Sequence, residues 1–184
     1  MSEKSSFFKE YIKPILSLTI ICLVITAAVS GTYQLTKPVI EKALDAASNE
    51  ARKAVLPTAE SFEKIELDNS VLEKYGVIEA HISNDNGVAV KIESKGYSTS
   101  SNIVLMVGID SNGTVSGVSL LEHSETDGLG TKALGNDYFS QFYGKSEGIN
   151  DIQPVSGATY SSNGVKNAIS NALSLYETVK EGAK

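Results

Sequence analysis

The stretch Ile103–Ile109, which reads IVLMVGI, is the clearest indication of the fold in this sequence. A short, continuous apolar run bounded by turn residues is typical of a strand in the middle of a sheet. Residues 111–113 (SNG) provide a turn, and residues 114–121 return with apolar residues at alternating positions. The pattern therefore predicts a central strand followed by an antiparallel partner.

A second hairpin precedes this one. Val77–Ser83 predicts a strand, residues 84–87 (NDNG) predict a turn, and residues 88–92 predict the returning strand. Residues 62–67 alternate imperfectly and predict a further short strand. Together the two hairpins predict a meander of about four or five antiparallel strands.

Two helical patterns follow the sheet. Residues 134–143 predict a short helix whose aromatic side chains Tyr138, Phe139 and Phe142 face inward. Residues 163–180 predict an amphipathic helix that packs on the sheet, because apolar residues recur there at helical spacing. These apolar residues are Val165, Ala168, Ile169, Ala172, Leu173, Tyr176 and Val179. The predicted fold class is α+β, an antiparallel sheet with helices packed on one side.

The N-terminal region predicts a transmembrane helix. Residues 14–36 contain no charged residue, and about 20 apolar residues are enough to span a bilayer as a helix. Lys4, Lys9 and Lys13 precede this stretch, which by the positive-inside rule puts the N-terminus in the cytoplasm. A cleaved signal peptide is the alternative, since residues 28–30 (AVS) form a passable cleavage site, but the length of the uncharged stretch favours a retained anchor.

These patterns divide the chain into segments with different expected environments. Residues 37–55 predict a helix with Pro38 in its first turn, either continuous with the span or standing just above it. We expect a cytoplasmic N-terminus at 1–13, a transmembrane helix at 14–36, a juxtamembrane helix or linker at 37–58 and an extracytoplasmic domain at 59–184. The expected location is the cell (inner) membrane, as a single-pass protein in contact with lipid.

The composition argues against several classes of site. A net charge of −6 without a basic patch argues against nucleic acid as a partner. The single cysteine, Cys22, allows no disulfide within the chain and no cysteine-based metal site. With only His81 and His123 available, a histidine-rich metal or haem site is not expected either, and we predict no metal.

The segment 156–162, which reads SGATYSS, lies just before the last helical pattern. Ser161 or Ser162 is predicted as the N-cap, which puts Thr159 at or just before a helix N-terminus. Unpaired N–H groups and the helix dipole favour a phosphate at such a position. On local physics alone, an ordinary small-residue turn with a serine cap is the favoured interpretation of the segment.

Two motifs resemble those of the FMN-binding domain family, which includes the G subunit of the Rnf ion-translocating electron transport complex. Residues 155–162 (VSGATYSS) resemble the family's flavinylation motif, and residues 123–130 (HSETDGLG) resemble its H-x-E-T-P-G-L-G loop. The motifs occur in the family's order, and the resemblance extends to the N-terminal membrane segment. Asp127 stands where the family usually has proline, and Gln153 where it commonly has aspartate.

The resemblance implies a flavin site with specific roles. It implies that Thr159 carries FMN through a phosphoester bond and that residues 125–130 lie against the flavin. We therefore expect Gly157 and Ala158 to leave room for the nucleotide, and hydroxyl groups to donate hydrogen bonds to its phosphate. The expected phosphate donors are Ser156, Ser161 and Ser162, and the expected ring contacts are Glu125, Thr126, Gly128, Leu129 and Gly130.

The function implied by the resemblance is electron transfer. The chain would be an electron-transfer flavoprotein subunit of an Rnf-type ferredoxin:NAD⁺ oxidoreductase, with the other subunits and a maturing flavin transferase as partners. Alternatives are the C subunit of the sodium-pumping NADH:quinone reductase, a stand-alone anchored extracellular flavoprotein, and a non-redox domain in which 156–162 is only a helix cap. No catalytic residue is predicted: His123, Ser124 and Glu125 are sequence neighbours, whereas catalytic triads are assembled from distant segments.

Overall fold

A computed structural model describes residues 11–182 of the chain, with side chains described for residues 11–180. Lys4 and Lys9, on which the predicted orientation depends, lie outside the described residues, as does most of the predicted N-terminal segment 1–13. The described chain divides into two compact units, with the boundary between Ala46 and Ala47.

The predicted helices and strands occur in the predicted order, and one further short helix lies between the first two strands. The helices are α1 (Lys13–Val55), α2 (Asn69–Tyr75), α3 (Asn136–Phe139) and α4 (Thr159–Gly182). The strands are β1 (Phe62–Lys64), β2 (Val77–Ser83), β3 (Val88–Ser94), β4 (Ile103–Ile109) and β5 (Val115–Glu122). Single turns of 3₁₀-helix lie at Gly130–Ala133, Ser140–Phe142 and Ile149–Asp151.

The first unit consists of α1 up to Ala46. Helix α1 is a single helix of 43 residues with Pro38 inside it, so the pattern at 37–55 continues the preceding helix and does not start a new one. Its most apolar window has a mean hydropathy of 2.2, and no side chain of that window is buried. By length and composition, this helix is able to cross a bilayer.

The sheet is an antiparallel meander in the order β1-β2-β3-β4-β5. The predicted bounds of β2 and β4 are confirmed, whereas β1 is shorter than the predicted strand at 62–67. Helix α2 was not predicted, although Gly76 gives a sequence indication of its end. This glycine adopts a left-handed conformation and its N–H bonds back to the helix, which terminates it.

One face of the sheet packs against α4. Alternate residues of β4, among them Ile103, Leu105 and Val107, point to this face and are fully buried. Six of the seven apolar positions predicted on the last helix are buried in the same core, and Val179 packs against it. The predicted α+β fold, with helices on a sheet, is therefore confirmed.

The last turns of α1 cover the opposite face. Ala51, Val55 and Leu56 form a small cluster with Ala89 of β3 and Met106 of β4. These residues belong to the second unit, so the end of α1 is part of the folded domain.

Two local predictions were wrong in detail. The predicted helix at 134–143 is split into α3 and the 3₁₀ turn that follows it, although its three aromatic residues are buried as expected. Helix α4 begins at Thr159, four residues before the predicted start, because Ser162 N–H already bonds to the Ala158 carbonyl at 2.8 Å. Ser161 and Ser162 therefore lie inside the first turn and are not N-caps.

Candidate functional site

A cavity of about 290 Å³ opens at the start of α4, between the loop after β3 and the loop after β5. Its volume is near the lower end of the roughly 300–1,000 Å³ range of small-molecule sites, and it is open to solvent on one side. The residues that line it are Tyr97, Glu125, Thr126, Leu129, Gly130, Gly157, Ala158, Thr159, Tyr160 and Ser161. Both sequence motifs thus contribute to one cavity.

The turn before α4 exposes Thr159 and buries its neighbour. Gly157 has φ of +80°, a conformation that residues with a side chain rarely adopt, and a Cβ atom there would meet nothing within 4 Å. Ala158 is buried in the core, which fixes the turn, and Thr159 is the first residue of the helix and is exposed. The threonine hydroxyl therefore stands at a helix N-terminus with open space beside it.

A buried carboxylate, that of Glu125, joins three segments of the site. It accepts a short hydrogen bond from the Ser161 hydroxyl, one from Ser98 N–H at 3.0 Å and a longer one from Tyr97 N–H at 3.4 Å. The Glu125 side chain is only 6% exposed, so these donors replace water around it. The carboxylate thus fixes the β3–β4 loop against the first turn of α4.

The pKa of Glu125 is below its ordinary value. Burial acts to raise the pKa, but the hydrogen bonds from Ser161, Ser98 and Tyr97 and the proximity of His123 outweigh burial and favour the charged form. The cavity therefore has a fixed negative charge in its wall at neutral pH.

The loop 125–131 is closed by its own hydrogen bonds. Leu129 N–H donates to the Thr126 carbonyl at 3.2 Å, and Gly128 N–H donates to the Thr131 hydroxyl at 3.0 Å. Gly128 has φ of +73°, and a Cβ atom at Gly130 would collide with the Glu125 carboxylate. The two glycines therefore serve different needs, a left-handed turn in one case and a close approach in the other.

The base of the site is held by contacts along α4. Gly164 lets the helix approach the end of β3, since a Cβ atom there would lie 2.6 Å from the Lys95 carbonyl oxygen. The buried Lys166 ammonium donates to the carbonyls of Asn150 and Ile152 at 3.3 and 3.1 Å. Helix α4 thereby holds the segment that leads into the SGAT turn.

The predicted site residues divide into two groups. Those that line the cavity are Gly157, Ala158, Thr159, Ser161, Glu125, Thr126, Leu129 and Gly130. Ser156, Ser162 and Gly128 lie outside the lining, and the Ser162 hydroxyl accepts a hydrogen bond from Val155 N–H at 2.9 Å. The Ser161 and Ser162 hydroxyls thus have structural partners within the chain.

Sequence reasoning did not assign two of the lining residues, Tyr97 and Tyr160. Tyr160 lies within the SGATYSS segment, and its position next to Thr159 was the available signal. Tyr97 lies in an irregular loop after β3, where no periodicity marks it.

The neighbouring residues His123, Ser124 and Glu125 do not form a catalytic array. The Ser124 hydroxyl accepts a hydrogen bond from Ser101, and His123 Nδ1 accepts one from Glu125 N–H at 3.2 Å. A hydrolase triad would need the histidine to contact the serine hydroxyl. Among residues 11–182, no group of three or more His, Cys, Asp or Glu side chains is placed to hold a metal ion.

The residues present fit a phosphate-tethered aromatic cofactor. The exposed hydroxyl of Thr159 stands beside helix N–H groups that lack intrahelical partners, which suits a phosphate. Leu129 and the two tyrosines offer apolar surface for a planar ring, and the space beside Gly157 leaves room for the chain that connects ring and phosphate.

Comparisons with known proteins identify relatives of this chain. Residues 96–174, which include the whole cavity lining, match the family of FMN-binding domains. The chain is 30% identical to the G subunit of an ion-translocating oxidoreductase complex from Vibrio vulnificus, over 90% of this chain and 89% of the relative. It is 29% identical to the G subunit of a Na(+)-translocating ferredoxin:NAD(+) oxidoreductase complex from Acetobacterium woodii, over 90% and 91% of the two chains. The G subunit of an ion-translocating oxidoreductase complex from Methanosarcina acetivorans is 29% identical over 95% and 98%.

Proposed function

This chain belongs to the family of the G subunits of ion-translocating oxidoreductase complexes, and on that premise we propose that it is the electron-transfer flavoprotein subunit of an Rnf-type membrane complex. The observation that carries the proposal is the convergence of two motifs, about 30 residues apart in sequence, on the cavity at the start of α4. FMN, when bound, supplies the redox chemistry, and the protein positions it and adjusts its environment.

We further propose that the FMN is covalently attached, through a phosphoester bond to the Thr159 hydroxyl. Three features support this site. Thr159 is exposed, so a flavin transferase has access to it; Gly157 leaves open space beside it; and the helix N-terminus stabilises phosphate oxygens. A covalent bond also prevents loss of the cofactor by dissociation in an extracytoplasmic compartment.

The other residues of the site bind and orient the cofactor. Leu129 presents an exposed apolar side chain to the cavity, and Thr126 offers a hydroxyl at its edge. Glu125 does not lie free to bind the cofactor, because its carboxylate is occupied by the chain's own donors. Its role is to keep the loop 125–130 and the first turn of α4 in one arrangement.

The proposed setting is the cell membrane. Helix α1 would anchor the chain with its N-terminus in the cytoplasm, and the flavin domain would contact the other subunits of the complex on the outer side. The length and hydropathy of α1 support the anchor, and the named assemblies of the relatives support the subunit partners.

Attachment is tested by producing the full chain together with a flavin transferase. Denatured wild-type protein should fluoresce as flavin in a gel, and Thr159→Ala should be dark, because no alcohol remains to be esterified. Thr178→Ala is the matched control, since Thr178 is an exposed threonine farther along the same helix and lies outside the cavity lining, and it should fluoresce like the wild type.

Intact-mass measurement then identifies the modification. The wild type should gain the mass of FMN less water, and Thr159→Ala should have the mass of its amino acids alone. A fluorescent Thr159→Ala variant, or a wild type that stays unmodified beside an active transferase, would show that the assignment is wrong.

A further inference from the structure

Three large apolar side chains remain exposed around the cavity. Tyr160 is 70% exposed, Tyr97 69% and Leu129 54%. They come from three separate segments, the first turn of α4, the loop after β3 and the loop after β5, yet all line the same cavity. Single exposed apolar residues are ordinary, whereas a group of them around a concave surface marks a binding site.

The two tyrosine rings form an open corner. Their centroids are 6.0 Å apart and their planes are inclined at 57°, so they are neither stacked in parallel nor perpendicular. By contrast, the aromatic pair of Tyr138 with Phe142 has a T-shaped geometry at 5.3 Å and 85°, and both rings are buried. The rings of the core pair are therefore covered by protein, whereas the rings of the cavity pair remain mostly exposed to solvent.

We propose that Tyr97 and Tyr160 form an aromatic wall that binds the isoalloxazine ring of the FMN. This inference rests on the proposed function. Tyr160 directly follows Thr159, so a flavin attached there has the Tyr160 ring within reach of its tether. Aromatic rings gain stabilisation from offset or edge contacts beyond the area they bury, and an open corner offers a planar ring one contact of each kind.

The proposal explains why both residues are aromatic in an otherwise small and polar neighbourhood. Ser98, Thr99, Ser100 and Ser101 follow Tyr97, and residues 156–162 contain no other large side chain than Tyr160. The two rings expose apolar surface to water. A bound isoalloxazine would remove part of that surface from water, which favours binding.

The first test uses unmodified full-length chain, produced without transferase, and free FMN. Tyr97→Leu and Tyr160→Leu should each weaken FMN binding by about 2- to 10-fold, which is the range expected for the loss of one aromatic contact. Tyr143→Leu is the matched control, because Tyr143 is 42% exposed and lies outside this cavity lining, and it should bind FMN like the wild type. Unchanged dissociation constants in both cavity variants would overturn the proposal.

The second test uses the flavinylated chain and the fluorescence of its flavin. A phenol in contact with a photoexcited flavin donates one electron to it and takes the electron back in the dark, so emission is quenched and nothing is consumed. The folded wild type should therefore be dimmer than the denatured chain, and each variant, Tyr97→Phe or Tyr160→Phe, should be brighter than the folded wild type.

The phenylalanine variants distinguish direct contact between the phenol and the flavin from packing of the ring against the cofactor. Phenylalanine keeps the ring and its packing but is a poor electron donor, so these variants should be brighter while retaining wild-type affinity for free FMN. Emission equal to that of the wild type in both variants would show that the rings do not contact the flavin.

Failure of this proposal is distinguishable from failure of the proposed function. Intact mass reports whether FMN is attached, independently of the tyrosines. If no FMN is attached, the titration with free FMN still decides whether the two rings bind the flavin.

Discussion

The two faces of the sheet are built differently. The face toward α4 is covered by a continuous core that contains bulky side chains such as Phe139, Phe142 and Ile169. The face toward the end of α1 has a small apolar cluster with polar side chains beside it. There, Arg52 pairs with Glu79 at 3.6 Å.

On the α1 face, the end of α1 is held by close approach of its backbone to that of β4 and β5. A Cβ atom at Gly108 would lie 2.5 Å from the Val55 carbonyl oxygen, and one at Gly117 would lie 2.9 Å from the Val55 Cα atom. The Ser116 hydroxyl donates to the same Val55 carbonyl at 2.6 Å. The α4 face therefore supplies stability through buried area, whereas the α1 face fixes the end of α1 through contact geometry and hydrogen bonds.

The largest expected effect compares two neighbours on β4. Leu105 faces the α4 core and Met106 faces the α1 cluster, and neither is exposed to solvent. Leu105→Ala should lower the free energy of unfolding by about 2–5 kcal/mol, because it leaves a cavity in a large, close-packed core. Met106→Ala should lower the free energy of unfolding by less. Met106 packs in a small cluster against the end of α1, and this helix end can move to fill part of the space. If denaturant unfolding of the full chain gave equal losses of stability for the two variants, the two faces would not differ in how much their packing stabilises the fold.

A smaller effect is expected at Glu125, which joins the site to the α4 face. Glu125→Gln replaces an acceptor oxygen with an amide group and leaves one or more of its buried donors unpaired, at a cost of about 1–3 kcal/mol. Glu122→Gln is the matched control, because Glu122 is exposed at the end of β5, and it should cost nothing measurable.

The pH dependence of the unfolding free energy of Glu125→Gln tests whether the charge of the carboxylate is responsible for this cost. Because the pKa of Glu125 is lowered in the folded chain, its contribution is fully present above its unfolded value of about 4.5 and is lost as the pH falls through the folded value. The difference in unfolding free energy between wild type and Glu125→Gln should therefore shrink in acid. A difference that stays constant with pH would show that the charge plays no part.

The hairpins and the last helix were predictable because their signals are local. The strands β2 and β4 are bounded by turn residues and have the right length, and the apolar stripe of α4 has helical spacing over about four turns. The same holds for the two motifs, whose residues are contiguous in sequence. Their meeting at one cavity followed from the family resemblance and not from the spacing.

Long-range contacts were not predictable from these patterns. Nothing in the sequence marks Tyr97 as a neighbour of Tyr160, or Glu125 as the partner of Ser161, because both pairs depend on how three loops meet. The start of α4 was misplaced for a related reason. The Ser161 and Ser162 side chains bond outside the helix, so their cap-like chemistry serves tertiary contacts and not the helix end.

The smallest effect concerns His81, which lies on the α1 face. The side chain is 8% exposed, and its Nδ1 atom has no hydrogen-bond partner among the described residues. Burial lowers the pKa of His81, and Arg52 and Lys64 lower it further, while Glu79 acts in the opposite direction. The surroundings of this histidine in the folded chain therefore disfavour its protonated form.

Acidification should consequently destabilise the folded chain through protonation of His81. The unfolded chain binds a proton at this residue near pH 6.5 and the folded chain does so only at lower pH, so stability falls as the pH drops from about 6.5 toward the folded pKa. His81→Gln should flatten this fall, measured as the unfolding midpoint between pH 7.5 and 5.5. A slope that survives His81→Gln would show that a group other than His81 causes the fall in stability, and that burying this histidine on the α1 face does not limit stability in acid.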